Sequence, residues 1–277
     1  VFAHAGRVIE ANWKATMEAF LETYHVAATH PHTVKFANDN ESQTDTLGPN
    51  LTRMLEPTGV PISALIGKVS EQEIADEIIR DINVGARGTS VRSGIIGEIG
   101  VGSSFTAREK KSLAAACIAQ RETRLPMQVH MPAWFHLGDE VLDFCAARGV
   151  PMQSIVLCHS NPSGDDYEYQ SRLIERGAYI QYDMIGMEVF YADQQAQCPS
   201  GDDDARNIAR LVARGHGDRV LMSQDIFLKT LLRTYGGPGY GHLIEFFLPR
   251  LARHGVPIER SLALMTDNPR RLFEEAR

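Results

Sequence analysis

The 277-residue chain has few cysteines, no excess of positive charge and no long apolar run. Its formal charge is −7 and its sequence pI is about 5.8, which argues against nucleic acid or an anionic membrane surface as a partner. No apolar stretch approaches the roughly 20 residues that cross a bilayer, so we expect no membrane span. No Gly-x-Gly-x-x-Gly turn follows a predicted strand, so a dinucleotide-binding sheet is not favoured.

The chain has four cysteines, none with Cys-x-x-Cys spacing: Cys117, Cys145, Cys158 and Cys198. At least two of them, Cys117 and Cys145, stand in apolar helical sequences. We therefore expect buried thiols of a reducing compartment rather than disulfides or zinc ligands. This usage favours a cytoplasmic location.

From residue 69 onward, strand and helix patterns alternate in five units of about 25–40 residues, which predicts a parallel α/β fold. The predicted strands end at Glu98, His130, His159, Asp183 and Asp225. The predicted helices cover residues 70–85, 106–123, 138–149, 165–177, 202–215 and 241–255. Thr106 and Glu109 are spaced as a capping box, and Pro249 is expected to break or bend the last helix.

The residues before 69 do not show this alternation of strand and helix patterns. An aromatic-rich helix is predicted over 8–33, a polar loop over 37–50, and one further strand over 59–67. We predict two regions, an atypical N-terminal segment over 1–58 and a β/α region over 59–277.

The residues at the predicted strand ends are the candidates for a functional site. In parallel β/α barrels the carboxyl ends of the strands meet at one rim, so these carboxylates and imidazoles are expected to converge there. They are suitable ligands for a divalent metal such as zinc, manganese or cobalt. Glu98 follows "GIIG", which is typical of a strand buried on both faces, where only a cation would offset the burial of a carboxylate. The alternatives are hydrogen-bonded structural histidines, a helix cap at Asp225, and an indirect role for Asp183.

The order of several stretches resembles the phosphotriesterase family of the amidohydrolase superfamily: "GIIGEIG", "VHMPAW", "VLCHSN", "RGAYIQYD", "LMSQD", "YGGPGYGH", "FFLPRLARHGV" and "TDNPRRLF". The resemblance implies a (β/α)8 TIM barrel with one or two divalent metals, usually zinc. It implies that Glu98 bridges two metals, that His130 and His159 hold the second, and that Asp225 binds the first and accepts a proton from the attacking water. Manganese and cobalt are alternatives.

The sequence departs from the family's pattern at the first strands. The family's His-x-His is offered only by His30 and His32 in "THPHT", 66 residues before Glu98 by the numbering. We therefore expect a barrel that is incomplete or atypical at its start. Residues 8–33 instead resemble the large subunit of Rieske-type ring-hydroxylating oxygenases, in which Glu22, His25 and His30 match an iron-binding segment.

The sequence thus predicts a metal-dependent hydrolase acting on a phosphotriester, lactone or related ester or amide. One alternative is a non-haem iron oxygenase fragment that uses His25 and His30. Another is a barrel remnant without a complete catalytic site. The apolar stretch over 235–247, "YGGPGYGHLIEFF", suits a substrate wall or a homodimer contact.

Overall fold

The structure is a computed structural model, and it describes residues 43–46, 52–55, 69–86, 89–191 and 195–276. The chain divides into two units, residues 1–70 and 71–277. In the first unit, β1 (Gln43–Thr46) pairs antiparallel with β2 (Thr52–Leu55). The predicted helix over 8–33 and the predicted strand over 59–67 lie outside the described residues.

The second unit is built on a parallel sheet of five strands in chain order, as predicted. These are β3 (Ile96–Gly100), β4 (Met127–His130), β5 (Ile155–Leu157), β6 (Tyr179–Tyr182) and β9 (Val220–Met222). A short antiparallel hairpin, β7 (Phe190–Tyr191) with β8 (Ala196–Gln197), lies between the last two and was not predicted. Two-residue strands carry no detectable period, so no sequence pattern signals them.

Helices connect the strands, and each helix predicted from residue 69 onward has a counterpart, although the one predicted over 241–255 is divided into a π-helix and a short α-helix. They are α1 (Glu71–Asn83), α2 (Ala107–Thr123), α3 (Gly138–Ala146), α4 (Tyr167–Glu175), α5 (Gly201–Ala213) and α6 (Leu248–Arg253). The predicted capping box of Thr106 and Glu109 begins α2. A π-helix over Leu243–Phe247 runs directly into α6, and Pro249 is the second residue of α6. The irregularity thus lies before the proline. A seventh helix, α7 (Ile258–Glu275), was not predicted.

The inner strands β5 and β6 are buried on both faces, as expected in a parallel sheet. Along β5 the side chains alternate, so that Ile155 and Leu157 join the main core with the helices. Val156 and Cys158 join a second cluster on the other face, together with Leu272 of α7. All four cysteines are free and buried, as predicted.

The environment predicted for Glu98 is wrong. Strand β3 continues to Gly100, so Glu98 lies within the strand and not at its end. Its side chain keeps 35% of its exposure, whereas Ile96 is 2% exposed. The strand is at the edge of the described sheet, and Gly97 and Gly100 have no side chains with which to cover the carboxylate.

The described strands and helices therefore form the α/β, TIM-barrel-like arrangement that the alternating pattern predicts. Strand β9 is shorter than predicted, and Asp225 follows its last residue, Met222, by three positions. Within the described parts of the chain, no helix combines the length and the apolar character that a membrane crossing requires.

Candidate metal centre

The predicted site residues lie at the carboxyl ends of neighbouring parallel strands. His130 is the last residue of β4, His159 is two residues beyond β5, and Asp183 follows β6 directly. Glu98 reaches the same region from within β3, whose residue Gly100 pairs with His130. The parallel order of the sheet is what brings together side chains that are distant in sequence.

Three of the four predicted metal ligands converge. One ligand atom each from Glu98, His130 and His159 lies within 4.8 Å of the other two. Nε2 of His159 is 3.4 Å from Oε1 of Glu98, and the two imidazole rings are 4.3 Å apart at an angle of 76°. His159 is buried, whereas the other two are exposed, so the cluster is accessible from solvent on one side.

Asp183 orients His159. Its Oδ1 accepts a hydrogen bond from the backbone N–H of His159 at 2.9 Å and lies 3.0 Å from Nδ1 of the same residue. A proton on Nδ1 is therefore held by Asp183, which leaves Nε2 facing Glu98 as the atom available to a metal. The sequence left open whether Asp183 acts directly or indirectly at the metal, and this geometry favours the indirect role.

Charge and burial shift the pKa values of the cluster in different directions. Burial lowers the pKa of His159, but the hydrogen bond and charge of Asp183 outweigh it and raise that pKa to about 9. Partial desolvation by the surrounding side chains and the neighbouring charge of His159 lower the pKa of His130. Partial desolvation raises the pKa of Glu98, although the charge of His159 opposes the rise. The imidazolium of His159 thus balances carboxylates that a cation would otherwise balance.

The cluster fits a divalent metal by its donor set. Two imidazoles and one carboxylate, open to solvent on one side, are a ligand set used by catalytic zinc. A second group of donors, Glu98, Cys158 and Asp183, also lies within 4.8 Å. It fits less well, because burial keeps the pKa of the Cys158 thiol high and Asp183 already bonds to His159 and to Gln181.

Asp225 is the fourth predicted ligand, and neither donor group includes it. It is close enough for electrostatic coupling: burial and the charges of Asp183 and Glu98 raise its pKa to about 6, against the opposing charge of His159. Its carbonyl accepts a bond from the N–H of Phe227, and no helix begins there. The structure thus gives no support to the capping alternative.

The remaining histidines divide into two groups. His25, His30 and His32 lie outside the described residues, so the oxygenase-like site and the first metal site remain predictions. The described histidines predicted to be structural lie outside both donor groups. Examples are His136, which stacks on Tyr169, and His254, whose Nε2 is 3.0 Å from Asp202.

Two glutamines that support the cluster, Gln128 and Gln181, were not predicted from the sequence. Nε2 of Gln181 donates to Oδ2 of Asp183 at 3.0 Å, and Nε2 of Gln128 donates to Oε1 of Gln181 at 3.2 Å. Each glutamine stands two residues before a strand-end residue, His130 or Asp183, and so shares its face of the strand. The period of two was the signal that could have identified them.

An apolar cluster lies in the loops that follow the same strands. Its buried members are Met184, Met187, Cys198 and Leu231, and partly buried Trp134 and Ile226 pack against it. Further large apolar side chains of these loops are exposed: Phe135, Phe190, Phe227, Leu228, Tyr235 and Tyr240. The loops beyond the strand ends therefore offer an apolar surface.

The parallel β/α sheet with imidazoles and carboxylates at its strand ends is the arrangement of a barrel-type fold with a candidate metal centre. The chain belongs to the phosphotriesterase family, whose sequence model matches residues 60–273. A second family model, ring hydroxylating alpha subunit (catalytic domain), matches residues 3–78. Both family resemblances seen in the sequence are thus found by comparison.

Similar proteins span more sequence than this chain does. N-acetyltaurine hydrolase of Dictyostelium discoideum is 28% identical over 214 residues, covering 76% of this chain and 58% of its own length. A resiniferatoxin-binding protein from Rhodobacter sphaeroides has 49% identity and a TM-score of 0.74, covering 76% of this chain and 58% of that one. The phosphotriesterase homology protein of Escherichia coli, solved with phosphate in its active site, has 30% identity and a TM-score of 0.69, covering 76% and 69%.

Proposed function

We propose that this chain is a divalent-metal-dependent hydrolase of phosphotriester, lactone or related ester or amide bonds. The convergence of Glu98, His130 and His159 within 4.8 Å is the observation that carries the proposal. Zinc is the favoured ion for this donor set, with manganese and cobalt as alternatives. The hydrolase region is taken as residues 59–277, with residues 1–58 as a separate segment.

Each residue of the centre has a proposed task. A divalent ion bound there would supply a water molecule whose pKa is lowered to about 7. Glu98, His130 and His159 hold the ion, and Asp183 keeps Nε2 of His159 free for it. Asp225, with a pKa raised to about 6, is suited to accept a proton near neutral pH. Asp225 is also proposed as a ligand of a second divalent ion, as the family resemblance implies.

The loops after the strands carry few cations and favour an apolar substrate. The loops over 101–106, 131–137, 158–166 and 183–200 contain no Lys or Arg, and the loop over 223–242 contains Lys229 and Arg233. Arg233 is paired with Glu245. An aryl or alkyl ester matches the apolar surface of the loops, whereas the sulfonate of N-acetyltaurine would need a cationic partner such as Lys229.

Two further parts of the proposal concern the cellular location of the chain and its contacts with other copies of itself. The cysteine usage favours the cytoplasm. The exposed side chains Tyr240, Ile244 and Phe246 in the stretch 235–247 would suit a homodimer contact as well as a substrate wall. Gel filtration at two protein concentrations would separate these two uses of the stretch.

The test combines metal analysis with hydrolysis. The purified chain is assayed for zinc and manganese by mass spectrometry, and then for hydrolysis of an aryl ester, an alkyl lactone, an aryl phosphotriester and N-acetyltaurine. We expect about one or two ions per chain and turnover of at least one of the uncharged substrates. A chain that binds neither metal and hydrolyses none of the four would contradict the proposal.

A matched pair of variants assigns the activity to the site. Glu98→Gln removes the charge and keeps the shape, so we expect kcat/KM to fall by at least about 100-fold while the Tm of the metal-free protein hardly changes. Glu259→Gln makes the same chemical change at an exposed position at the start of α7 and should leave both quantities unchanged.

A further inference from the structure

Asn161 joins the two loops that carry His159 and Asp183. It stands two residues after His159, and its side chain is almost fully buried, with 1% of its surface exposed. Its Oδ1 accepts a hydrogen bond from the backbone N–H of Met184 at 3.0 Å. Because Met184 follows Asp183 directly, one side chain of the β5 loop fixes the backbone of the β6 loop.

Asp204 fixes the orientation of the Asn161 amide. Oδ2 of Asp204 accepts a hydrogen bond from Nδ2 of Asn161 at 2.8 Å, and Asp204 is itself 1% exposed. A carboxyl oxygen at this position selects the NH2 end of the amide, so the carbonyl end must point to Met184. Helix α5, which carries Asp204, is thereby connected to both loops.

The β5 loop needs such support because its backbone is strained. His159 has a φ of 55°, a left-handed conformation that non-glycine residues adopt at a cost of about 1–3 kcal/mol. Such a conformation persists only where surrounding contacts determine it. Two sets of contacts do so here: Asp183 holds the N–H of His159, and Asn161 holds the loop on the other side of it.

We propose that Asn161 and Asp204 form a clamp of positioning residues that sets the distance between His159 and Asp183, and through it the direction of Nε2 of His159. The inference deepens the proposed function, on which it rests, because the direction of Nε2 matters only if that atom binds a metal. Partners of this kind, which hold a ligand in place without touching the metal, typically contribute 10- to 100-fold to metal affinity.

The test measures zinc affinity by competition with a chromogenic chelator, using the full chain. Asn161→Ala removes both bonds of the clamp, and we expect the zinc Kd to rise about 10- to 100-fold. Asp204→Ala removes the acceptor and should raise the Kd in the same direction. Asp204→Asn keeps an oxygen that can accept from Nδ2 of Asn161. It should therefore retain most of the wild-type zinc affinity that Asp204→Ala loses.

A matched control separates positioning from general loss of stability. Asn268 is also fully buried and bonded to two backbone carbonyls, those of Gly217 and Val220. These lie at the amino end of β9, away from the strand ends that carry the cluster. Asn268→Ala should lower the Tm of the metal-free chain as much as Asn161→Ala does, and should leave the zinc Kd unchanged.

The outcomes are distinguishable. A wild-type chain that binds zinc, together with an unchanged Kd in both alanine variants of the clamp, overturns the inference and leaves the proposed function standing. A zinc Kd that rises in Asn268→Ala in proportion to its loss of Tm also overturns the inference. If Asn161→Ala does not fold, Asp204→Ala carries the test, and failure of both to fold would overturn a positioning role. A wild-type chain that binds neither zinc nor manganese and hydrolyses none of the four substrates overturns the proposed function itself.

Discussion

At the scale of single residues, three consecutive aspartates at the start of α5 have different environments. Asp202 and Asp203 are partly exposed, and their pKa values are lowered, the first by its hydrogen bond to His254 and the second by those to Ser200 and Arg206. Asp204 is buried, and burial together with the charges of Asp203 and Glu188 raises its pKa to about 8. One helix turn thus contains carboxyls whose pKa values are shifted in opposite directions.

The raised pKa of Asp204 predicts that stability decreases with pH. Between pH 4 and pH 8, roughly, the folded chain holds a proton that the unfolded chain has released, so the free energy of unfolding falls by up to about 1.4 kcal/mol per pH unit. Above pH 8 the loss is complete. The side chain in Asp204→Asn cannot ionise. From pH 5 to pH 8, the free energy of unfolding of this variant, measured by urea unfolding, should therefore rise relative to that of the wild type.

Asp218→Asn is the control for that measurement. The hydrogen bond from Arg260 lowers the pKa of Asp218 from 3.8, so this carboxyl is ionised in both the folded and the unfolded chain throughout pH 5–8. This variant should differ from wild type by an amount that does not change across the range. A pH-independent difference for Asp204→Asn as well would contradict the shift in the pKa of Asp204.

The sequence predicted the site residues for a physical reason. His130, His159 and Asp183 end apolar strands of similar length, and parallel pairing aligns such ends without further information. The burial of Asp204 had a weaker signal, because it shares a helical face with the buried Ile208 and Leu211. The bonds of Asn161 had none, since they depend on the approach of two loops.

At the scale of elements, α2 is stabilised by its capping box. Oγ1 of Thr106 accepts from the N–H of Glu109 at 3.4 Å, and Oε1 of Glu109 also accepts from the N–H of Gly102 at 2.9 Å. The box therefore connects the loop after β3 to the start of α2.

Removal of the cap should have a measurable cost. Thr106→Ala is expected to lower the free energy of unfolding by about 1 kcal/mol, because an N-terminal N–H of α2 loses its acceptor. Thr266→Ala is the control, since Oγ1 of Thr266 bonds within α7 to the carbonyl of Leu262 and caps nothing. Equal losses in the two variants, measured by urea unfolding, would show that the cap contributes nothing of its own.

Helix α7 shows where prediction of elements fails. Asn268 and Pro269 form a pair that is typical of a turn, and yet both stand inside the helix. The side chain of Asn268 donates to two backbone carbonyls near β9, which anchors the helix to the sheet. A tertiary contact thus overrides a local preference, and the sequence pattern of α7 alone does not contain it.

At the scale of the whole molecule, the candidate centre ties together β3, β4 and the loops after β5 and β6. An ion that binds only the folded chain stabilises every element that holds its ligands, because unfolding must release it. A second family model, ring hydroxylating alpha subunit (catalytic domain), matches residues 3–78, where the sequence predicts the alternative iron site at His25 and His30. The two sites predict different responses of stability to metal.

Zinc at about 100 times its Kd should stabilise the wild-type chain by about 2.7 kcal/mol. In a chain of this length that corresponds to a rise in Tm of several degrees, measured by thermal unfolding before and after chelation. Glu98→Gln should lose most of this rise, because the carboxylate ligand is gone. His25→Ala should keep it, since His25 belongs to the other segment. Loss of the rise in His25→Ala with retention in Glu98→Gln would place the zinc-dependent stability in the N-terminal segment and contradict the centre at the strand ends.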